Sequence, residues 1–127
     1  MKSHLFLSVG SNTGAGQVEK AVEWLSGKLQ NFASSSLYTT PAVQGKGKPY
    51  VNAVVEGYIT GEEEDFNNLL KEYEKTCGRD DAARREGRVP IDIDIVVRDG
   101  SVVRERDFAH SFFRIGYSEL TCPVIKK

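Results

Sequence analysis

Residues 91–97 read IDIDIVV, the clearest strand pattern in the chain. Successive side chains of a β-strand point to opposite faces of the sheet. The alternation therefore predicts a strand with one apolar face that enters the core. The members of that face are Ile91, Ile93, Ile95 and Val97. The same alternation sends Asp92 and Asp94, called here the carboxylate pair, together to the other face.

Outward from this strand, the chain shows further strand patterns and two helical patterns. Residues 4–10 and 50–60 are rich in β-branched, aromatic and other apolar residues, and 32–39 are weaker. Apolar residues recur at helical spacing in two further segments, 18–29 and 66–77. Asp99-Gly100 predicts a hairpin turn into residues 101–103.

The order strand, helix, strand, strand, helix, strand is the ferredoxin-like βαββαβ arrangement. We therefore expect an α+β fold with an antiparallel sheet and both helices on one face. The length of 127 residues suits one core, so residues 1–127 are expected to form a single domain.

The composition is that of a globular protein without a strong overall charge. Seventeen Lys and Arg against 18 Asp and Glu leave a net charge of −1, which disfavours nucleic acid or an anionic membrane as partner. Cys77 and Cys122 are isolated, which argues against a disulfide framework or a zinc site. With no signal-like segment near the start, we expect a cytoplasmic monomer that acts on small molecules.

The carboxylate pair indicates a magnesium site. Two neighbouring carboxylates repel each other, and a divalent cation between their hard oxygens lowers that cost. The alternative is an ordinary edge strand with Asp on its solvated side. The loop 78–88 adds four arginines placed to reach phosphates. Its alternative is a loop whose own Asp80, Asp81 and Glu86 balance those arginines.

The strand at 50–60 also presents polar residues to the face that we expect to be open. Alternation puts Val51, Ala53, Val55 and Ile59 in the core and leaves Tyr50, Asn52 and Val54 outside. An amide and an aromatic ring on one face suit a flat heterocycle, through hydrogen bonds and stacking. The alternative is a Tyr and an Asn on a solvated strand. Gly10 to Gly14 lack the lysine and the spacing of a phosphate-binding loop, so they predict an ordinary turn.

Five motifs occur in a characteristic order. They are Val9-Gly10-Ser11-Asn12, Tyr38-Thr39-Thr40-Pro41, Tyr50-Val51-Asn52-Ala53-Val54, Glu74 with Gly78-Arg79, and Ile91-Asp92-Ile93-Asp94-Ile95. Together they resemble the 6-hydroxymethyl-7,8-dihydropterin pyrophosphokinase family of folate biosynthesis, over roughly residues 4–114. The resemblance implies the same ferredoxin-like fold and transfer of pyrophosphate from ATP to the pterin, with release of AMP.

The resemblance also implies roles for individual residues. Asp92 and Asp94 would hold two magnesium ions and, with Arg79 and Arg85, form the catalytic set. The pterin pocket would be lined by Thr40, Pro41, Val43, Tyr50 and Asn52. ATP would be met by Glu74, Arg79, Arg85, Arg88, Ile95, His110 and Arg114. An aromatic ring over the second face of the pterin would come from Phe112, Phe113 or Tyr117.

The sequence departs from the family pattern mainly in the loop. Asp81 and Val89 stand where the family has arginines, and Glu86 stands where it has an aromatic residue. A catalytically impaired homologue that only binds pterin or nucleotide is therefore an open alternative. Another is an RNA-binding module of the same topology, but the carboxylate pair on its open face would repel phosphates.

Overall fold

A computed structural model describes residues 2–42 and 47–122 of the chain. The elements of the described residues, in chain order, are β1 (Lys2–Ser11), α1 (Ala15–Ser26), β2 (Gln30–Ser34), β3 (Tyr38–Thr40), β4 (Tyr50–Thr60), α2 (Glu63–Thr76), α3 (Asp81–Arg85), β5 (Asp92–Arg98), β6 (Ser101–Val102), α4 (Glu105–Ala109) and α5 (Ser111–Thr121). None of these helices has the length and apolar character needed to cross a membrane.

The strands form one antiparallel sheet in the order β2-β4-β1-β5-β6, with β3 also paired to β4. If β2 and β3 are counted as one interrupted strand, this is the ferredoxin-like order. The predicted α+β fold class is confirmed. The strand predicted at 50–60 and the hairpin after Asp99-Gly100 are also confirmed.

The main core lies between one face of the sheet and the two long helices α1 and α2. It contains most of the apolar positions that alternation predicts in three strands, together with one apolar side of each helix. Its buried members are Leu5, Leu7, Val9, Val18, Ala21, Leu25, Leu29, Ala53, Val55, Ile59, Phe66, Leu70, Ile91, Ile93 and Ile95. Burial of this apolar surface provides the main driving force for folding.

The sequence analysis expected the opposite face of the sheet to be open. In the structure, part of that face is covered. The last helix, α5, packs against β4 and β1, and Phe113 is fully buried there in a second core. The buried members of this core are Phe6, Val54, Val96, Val97 and Phe113. The assignment of Val54 to an exposed face was therefore wrong. Asp92 and Asp94 are not among the residues of this second core.

Val97 was predicted in the main core and instead belongs to the second one. The register of β5 against β1 pairs Leu7 with Ile95 but Phe6 with Val97, so one extra residue, Val96, is inserted in β5. Such a β-bulge breaks the strict alternation of side chains beyond it. The bulge lies after the carboxylate pair and leaves the positions of Asp92 and Asp94 unchanged.

Three predicted boundaries also differ from the structure. The first helix ends at Ser26, although Leu29 beyond it is buried. The segment 32–39 is divided between two strands, β2 and β3. The charged loop contains the short helix α3, which begins after Asp80 because the Asp80 carboxylate accepts a hydrogen bond from the Ala83 N–H at 2.8 Å.

Helix α5 is fixed to β3 by one hydroxyl group. The Tyr38 hydroxyl donates to the Phe112 carbonyl at 2.6 Å and accepts from the Gly116 N–H at 3.0 Å. Burial raises the pKa of Tyr38 to about 12, so the hydroxyl keeps its proton for this contact at neutral pH. The bond holds Phe112 at the first turn of α5 beside the end of the sheet.

We expect Gly116→Ala to lower the free energy of unfolding by about 1–3 kcal/mol, the usual cost of overpacking a core. A Cβ atom at Gly116 would lie 2.7 Å from a Val54 methyl and 2.9 Å from the Tyr38 hydroxyl. The matched control is Gly16→Ala in α1, where a Cβ meets nothing within 4 Å. Urea unfolding of both variants checks this, and equal stabilities would contradict the close packing of α5.

Candidate active site

Beside the carboxylate pair, the backbone of one edge of β5 is hydrogen-bonded by side chains and not by a neighbouring strand. Between residues 92 and 95, β5 pairs with β1 on one side, whereas β6 pairs only with residues 97 and 98. The Glu74 carboxylate accepts from the Ile93 N–H at 2.8 Å, and Lys71 donates to the Ile93 carbonyl at 3.1 Å. Arg79 donates to the Ile91 carbonyl at 3.3 Å. The end of α2 and the turn after it thus satisfy the backbone of this strand edge.

Both members of the carboxylate pair are held by cations from that same segment. Arg79 Nη1 donates to Asp92 Oδ1 at 2.7 Å, and Lys71 Nζ donates to Asp94 Oδ1 at 3.2 Å. Arg104 Nη1 is 4.0 Å from Asp94 Oδ1. The Asp94 side chain is 15% exposed and that of Asp92 39%. The pair therefore lies on one face of β5, as alternation predicts, at the boundary with solvent.

The Glu74 carboxylate contacts both Lys71 and Arg79. Its side chain is only 6% exposed and accepts from Lys71 at 3.1 Å and from Arg79 at 3.1 Å. Three carboxylates, Glu74, Asp92 and Asp94, thus face three cations. A buried carboxylate requires such compensation, because an unpaired charge away from water is costly.

The charges perturb one another in a definite direction. Burial, followed by the charge of Asp92, raises the pKa of Asp94 to about 6, and the cations Lys71 and Arg104 only partly offset this. Desolvation alone would lower the pKa of Lys71, but the nearby carboxylates outweigh it and the pKa is raised. At neutral pH, Lys71 is a cation and Asp94 is mainly ionised.

The donor set suits magnesium held jointly with phosphates. In the described part of the chain, no group of three or more His, Cys, Asp or Glu side chains converges on a metal position. Magnesium is usually bound through one or two carboxylates, with phosphate oxygens and water as its other ligands. Asp92 and Asp94 supply the two carboxylates. The residues opposite them on β1, Gly10 and Ser8, are small, and both line a cavity beside the pair.

A cavity of about 500 Å³ adjoins the carboxylate pair at Asp92. Its polar and aromatic lining includes Tyr50 and Asn52 from β4 and Phe112 from α5. Asn52 is 2% exposed, and its amide nitrogen donates to the Thr40 hydroxyl at 2.7 Å. The complete lining is Ser8, Gly10, Asn12, Thr40, Ala42, Gly47, Lys48, Tyr50, Asn52, Gly87, Asp92 and Phe112.

The structure brings three of the predicted pterin residues, Thr40, Tyr50 and Asn52, into this cavity. Pro41 is exposed next to the lining, and Val43 lies outside the described residues. Of the three aromatic residues considered for the second face, Phe112 lines the cavity. Phe113 is fully buried and Tyr117 packs with it in the second core.

A second cavity of about 710 Å³ lies between the end of α2 and the segment around α3, and is predominantly basic. Tyr50 and Gly87 line both cavities, so the two adjoin. The lining is Tyr50, Lys75, Arg79, Asp80, Asp81, Arg84, Gly87, Arg88 and Val89. Arg79 and Arg88 were predicted to meet ATP, whereas Arg85 is exposed and lines neither cavity.

In the loop 78–88, one ion pair fits the alternative in which the acids of the loop balance its arginines. Arg88 donates to Glu86 at 2.6 Å, so these two loop charges balance each other. Arg79 instead turns to Asp92 and Glu74. Of the other residues predicted near ATP, Ile95 has its side chain in the main core, which leaves only its backbone for contact with a nucleotide.

His110 and Arg114 lie at the start of α5, a helix that the sequence analysis did not predict. The His110 ring stacks on Phe112 with 5.4 Å between ring centroids. Arg114 is exposed and lies 4.9 Å from the centroid of the Phe108 ring. Neither residue lines the two cavities described here.

Two residues that sequence reasoning missed contact the carboxylate pair. They are Lys71 and Arg104. Lys71 could have been recognised because it lies three residues before Glu74 on α2, a spacing that puts both side chains on one side of the helix. Arg104 has no such signal, since its position depends on the turn that follows β6.

Fold and site together define a ferredoxin-like α+β protein in which a carboxylate pair adjoins a cavity with aromatic and amide groups. A comparison with protein families shows to which family of this class the chain belongs. The model of the 7,8-dihydro-6-hydroxymethylpterin-pyrophosphokinase (HPPK) family matches residues 6–124, and the chain belongs to this family. A search of curated proteins gives no match.

Proposed function

We propose that the protein transfers pyrophosphate from ATP to 6-hydroxymethyl-7,8-dihydropterin and releases AMP, as a step of folate biosynthesis. Membership of the HPPK family supports the reaction class. The observation that carries the proposal for this chain is that Asp92 belongs both to the carboxylate pair and to the lining of the cavity with Tyr50 and Asn52. Phosphates bound at the pair would therefore lie next to a molecule in the cavity.

The cavity is suited to a flat, polar heterocycle. Tyr50 and Phe112 supply aromatic rings, which prefer to stack on another flat ring. The Asn52 amide, held by Thr40, supplies hydrogen bonds to the ring edge. We propose that the pterin binds here with its hydroxymethyl group directed towards Asp92.

The reaction consists of one displacement at phosphorus. The hydroxymethyl oxygen forms a bond to the β-phosphorus of ATP, the bond from that phosphorus to the bridging oxygen of the α-phosphate breaks, and AMP leaves with this oxygen. The hydroxyl proton passes to solvent. Such a transfer depends on alignment and charge neutralisation more than on covalent catalysis by the protein.

The residues around the carboxylate pair divide these tasks. Asp92 and Asp94 would hold the magnesium ions, for which the family resemblance implies two. Magnesium, when bound, neutralises phosphate charge and aligns the β-phosphorus for attack. Arg79, at the junction of the pair and the basic cavity, would donate to the phosphates. Roles for Arg85, Arg88, His110 and Arg114 at ATP stay predictions.

A specific observation favours a second candidate, a homologue that binds these ligands without turning them over. Asp81 lines the basic cavity, and Glu86 forms an ion pair with Arg88. These two acids reduce the positive charge that is available to a triphosphate. Weaker closure over ATP would follow from that loss of attraction.

An assay of AMP release decides between the two. The protein is incubated with ATP, magnesium and the pterin, and AMP is followed through coupling enzymes. The pyrophosphokinase produces AMP only when all three are present. Calorimetry that shows heat of binding for both ligands, with no AMP formed, would instead support the non-catalytic homologue.

A further inference from the structure

The Lys71 ammonium donates hydrogen bonds to three oxygen atoms. Its three acceptors are Asp94 Oδ1 at 3.2 Å, Glu74 Oε2 at 3.1 Å and the Ile93 carbonyl at 3.1 Å. An ammonium group has three N–H donors, so three such contacts use its full capacity. Lys71 therefore occupies an oxygen-lined position that includes one half of the carboxylate pair.

A second cation occupies the other half. Arg79 Nη1 bonds to Asp92 Oδ1 at 2.7 Å and to Glu74 Oε1 at 3.1 Å. With Arg104 near Asp94, the cluster carries three positive charges against three negative ones. The carboxylate pair is thus neutralised by the protein itself before any metal arrives, and a divalent cation gains less by binding to it.

We propose that Lys71 is an internal counter-ion that competes with a divalent cation for Asp94, so that metal binds tightly only when a nucleotide's phosphates can take over the Lys71 ammonium. The inference rests on the proposed function in one respect, the assignment of Asp92 and Asp94 as metal ligands. The Lys71 side chain is 39% exposed, on a flexible four-carbon stem. It can therefore leave Asp94 for a phosphate without any movement of α2.

The competition is direct because both cations require the same oxygen. If the ammonium stays, a divalent cation at Asp94 meets a like charge; if the ammonium leaves without a phosphate to accept it, its contacts with Glu74 and Ile93 are lost. Phosphate oxygens remove this penalty by providing replacement acceptors. Metal and nucleotide binding are then coupled through one side chain.

Titration of Mn²⁺ in the absence of nucleotide tests this, with free metal measured by electron paramagnetic resonance. Lys71→Gln keeps an amide donor for the Ile93 carbonyl but removes the charge. We expect it to bind Mn²⁺ at least about fivefold more tightly than the unmodified protein, equivalent to removing a partly exposed ion pair. Lys71→Arg should bind as weakly as the unmodified protein.

The control for loss of a positive charge is Lys20→Gln on α1, because this lysine is exposed and lines neither cavity. Its Mn²⁺ affinity should not change. Equal affinities for Lys71→Gln and the unmodified protein would overturn the inference, as would an equal gain in Lys20→Gln. Thermal unfolding of each variant verifies that the fold is retained.

A measurement on the unmodified chain covers the case in which Lys71→Gln does not fold. The ¹⁵N resonance of the Lys71 ammonium should shift when Mg²⁺ and a nonhydrolysable ATP analogue are added together, and stay in place with Mg²⁺ alone at the same concentration. A shift with Mg²⁺ alone would contradict the proposal. These readouts are independent of AMP release, so failure of the counter-ion role and failure of the proposed function are distinguishable.

Discussion

Asp92→Asn lowers the rate of AMP release by at least ~100-fold, which corresponds to about 2.7 kcal/mol of additional barrier. Asp94→Asn is expected to have a similar effect. Each change removes one of the two carboxylates on β5 that would hold metal at the phosphates, while the amide keeps the size of the side chain. Charge on the triphosphate is then less neutralised in the transition state. Initial rates with ATP, magnesium and pterin at saturation measure the loss.

The control for this result is Asp65→Asn in the first turn of α2. Asp65 is exposed and lines neither cavity, so its variant should turn over normally. Circular dichroism should show that both β5 variants are folded. Near-normal turnover by Asp92→Asn would contradict the role of the carboxylate pair.

Glu74→Ala is the second large effect, and it concerns stability. The Glu74 carboxylate is buried and accepts from the Ile93 N–H, Lys71 and Arg79, so its removal leaves a strand-edge N–H unpaired and two cations without their shared partner. Breaking a buried, hydrogen-bonded ion pair from one side costs about 3–5 kcal/mol. Because Lys71 and Arg79 are more than a third exposed, we expect a smaller cost than this range, about 2–3 kcal/mol.

Urea unfolding of Glu74→Ala and of Glu72→Ala measures this difference. Glu72 lies on the same helix, its side chain is 72% exposed, and it pairs only loosely with Lys75. Its replacement should change the free energy of unfolding by less than about 0.5 kcal/mol. If the two variants proved equally stable, Glu74 would not be the residue that fastens α2 to β5.

Alternation along β5 was sufficient to predict the carboxylate pair. Asp92 and Asp94 are flanked by isoleucines that leave only one way to bury the strand, and the structure agrees. The same rule failed at Val97, because the extra residue Val96 brings both valines into the second core. Val96 and Val97 are both apolar and both buried. A bulge at this place therefore cannot be recognised from the pattern of apolar and polar residues.

The cover over the second face was harder to predict. Phe113, Tyr117 and Leu120 have helical spacing, but the stripe is short and says nothing about which sheet face it meets. Its partners, Val54 and Tyr38, are distant along the chain, and Gly116 is explained only by their close approach. The contact of Lys71 with Asp94 could not be predicted for the same reason, because it exists only once helix α2 is packed beside β5.

The most direct measurement of the central claim is the position of the metal. Crystals grown with Mn²⁺ and a nonhydrolysable ATP analogue should give an anomalous peak bonded to carboxylate oxygens of Asp92 and Asp94 and to phosphate oxygens of the analogue. A bound analogue whose metal lies away from both aspartates, or whose phosphates bind elsewhere on the protein, would contradict the account.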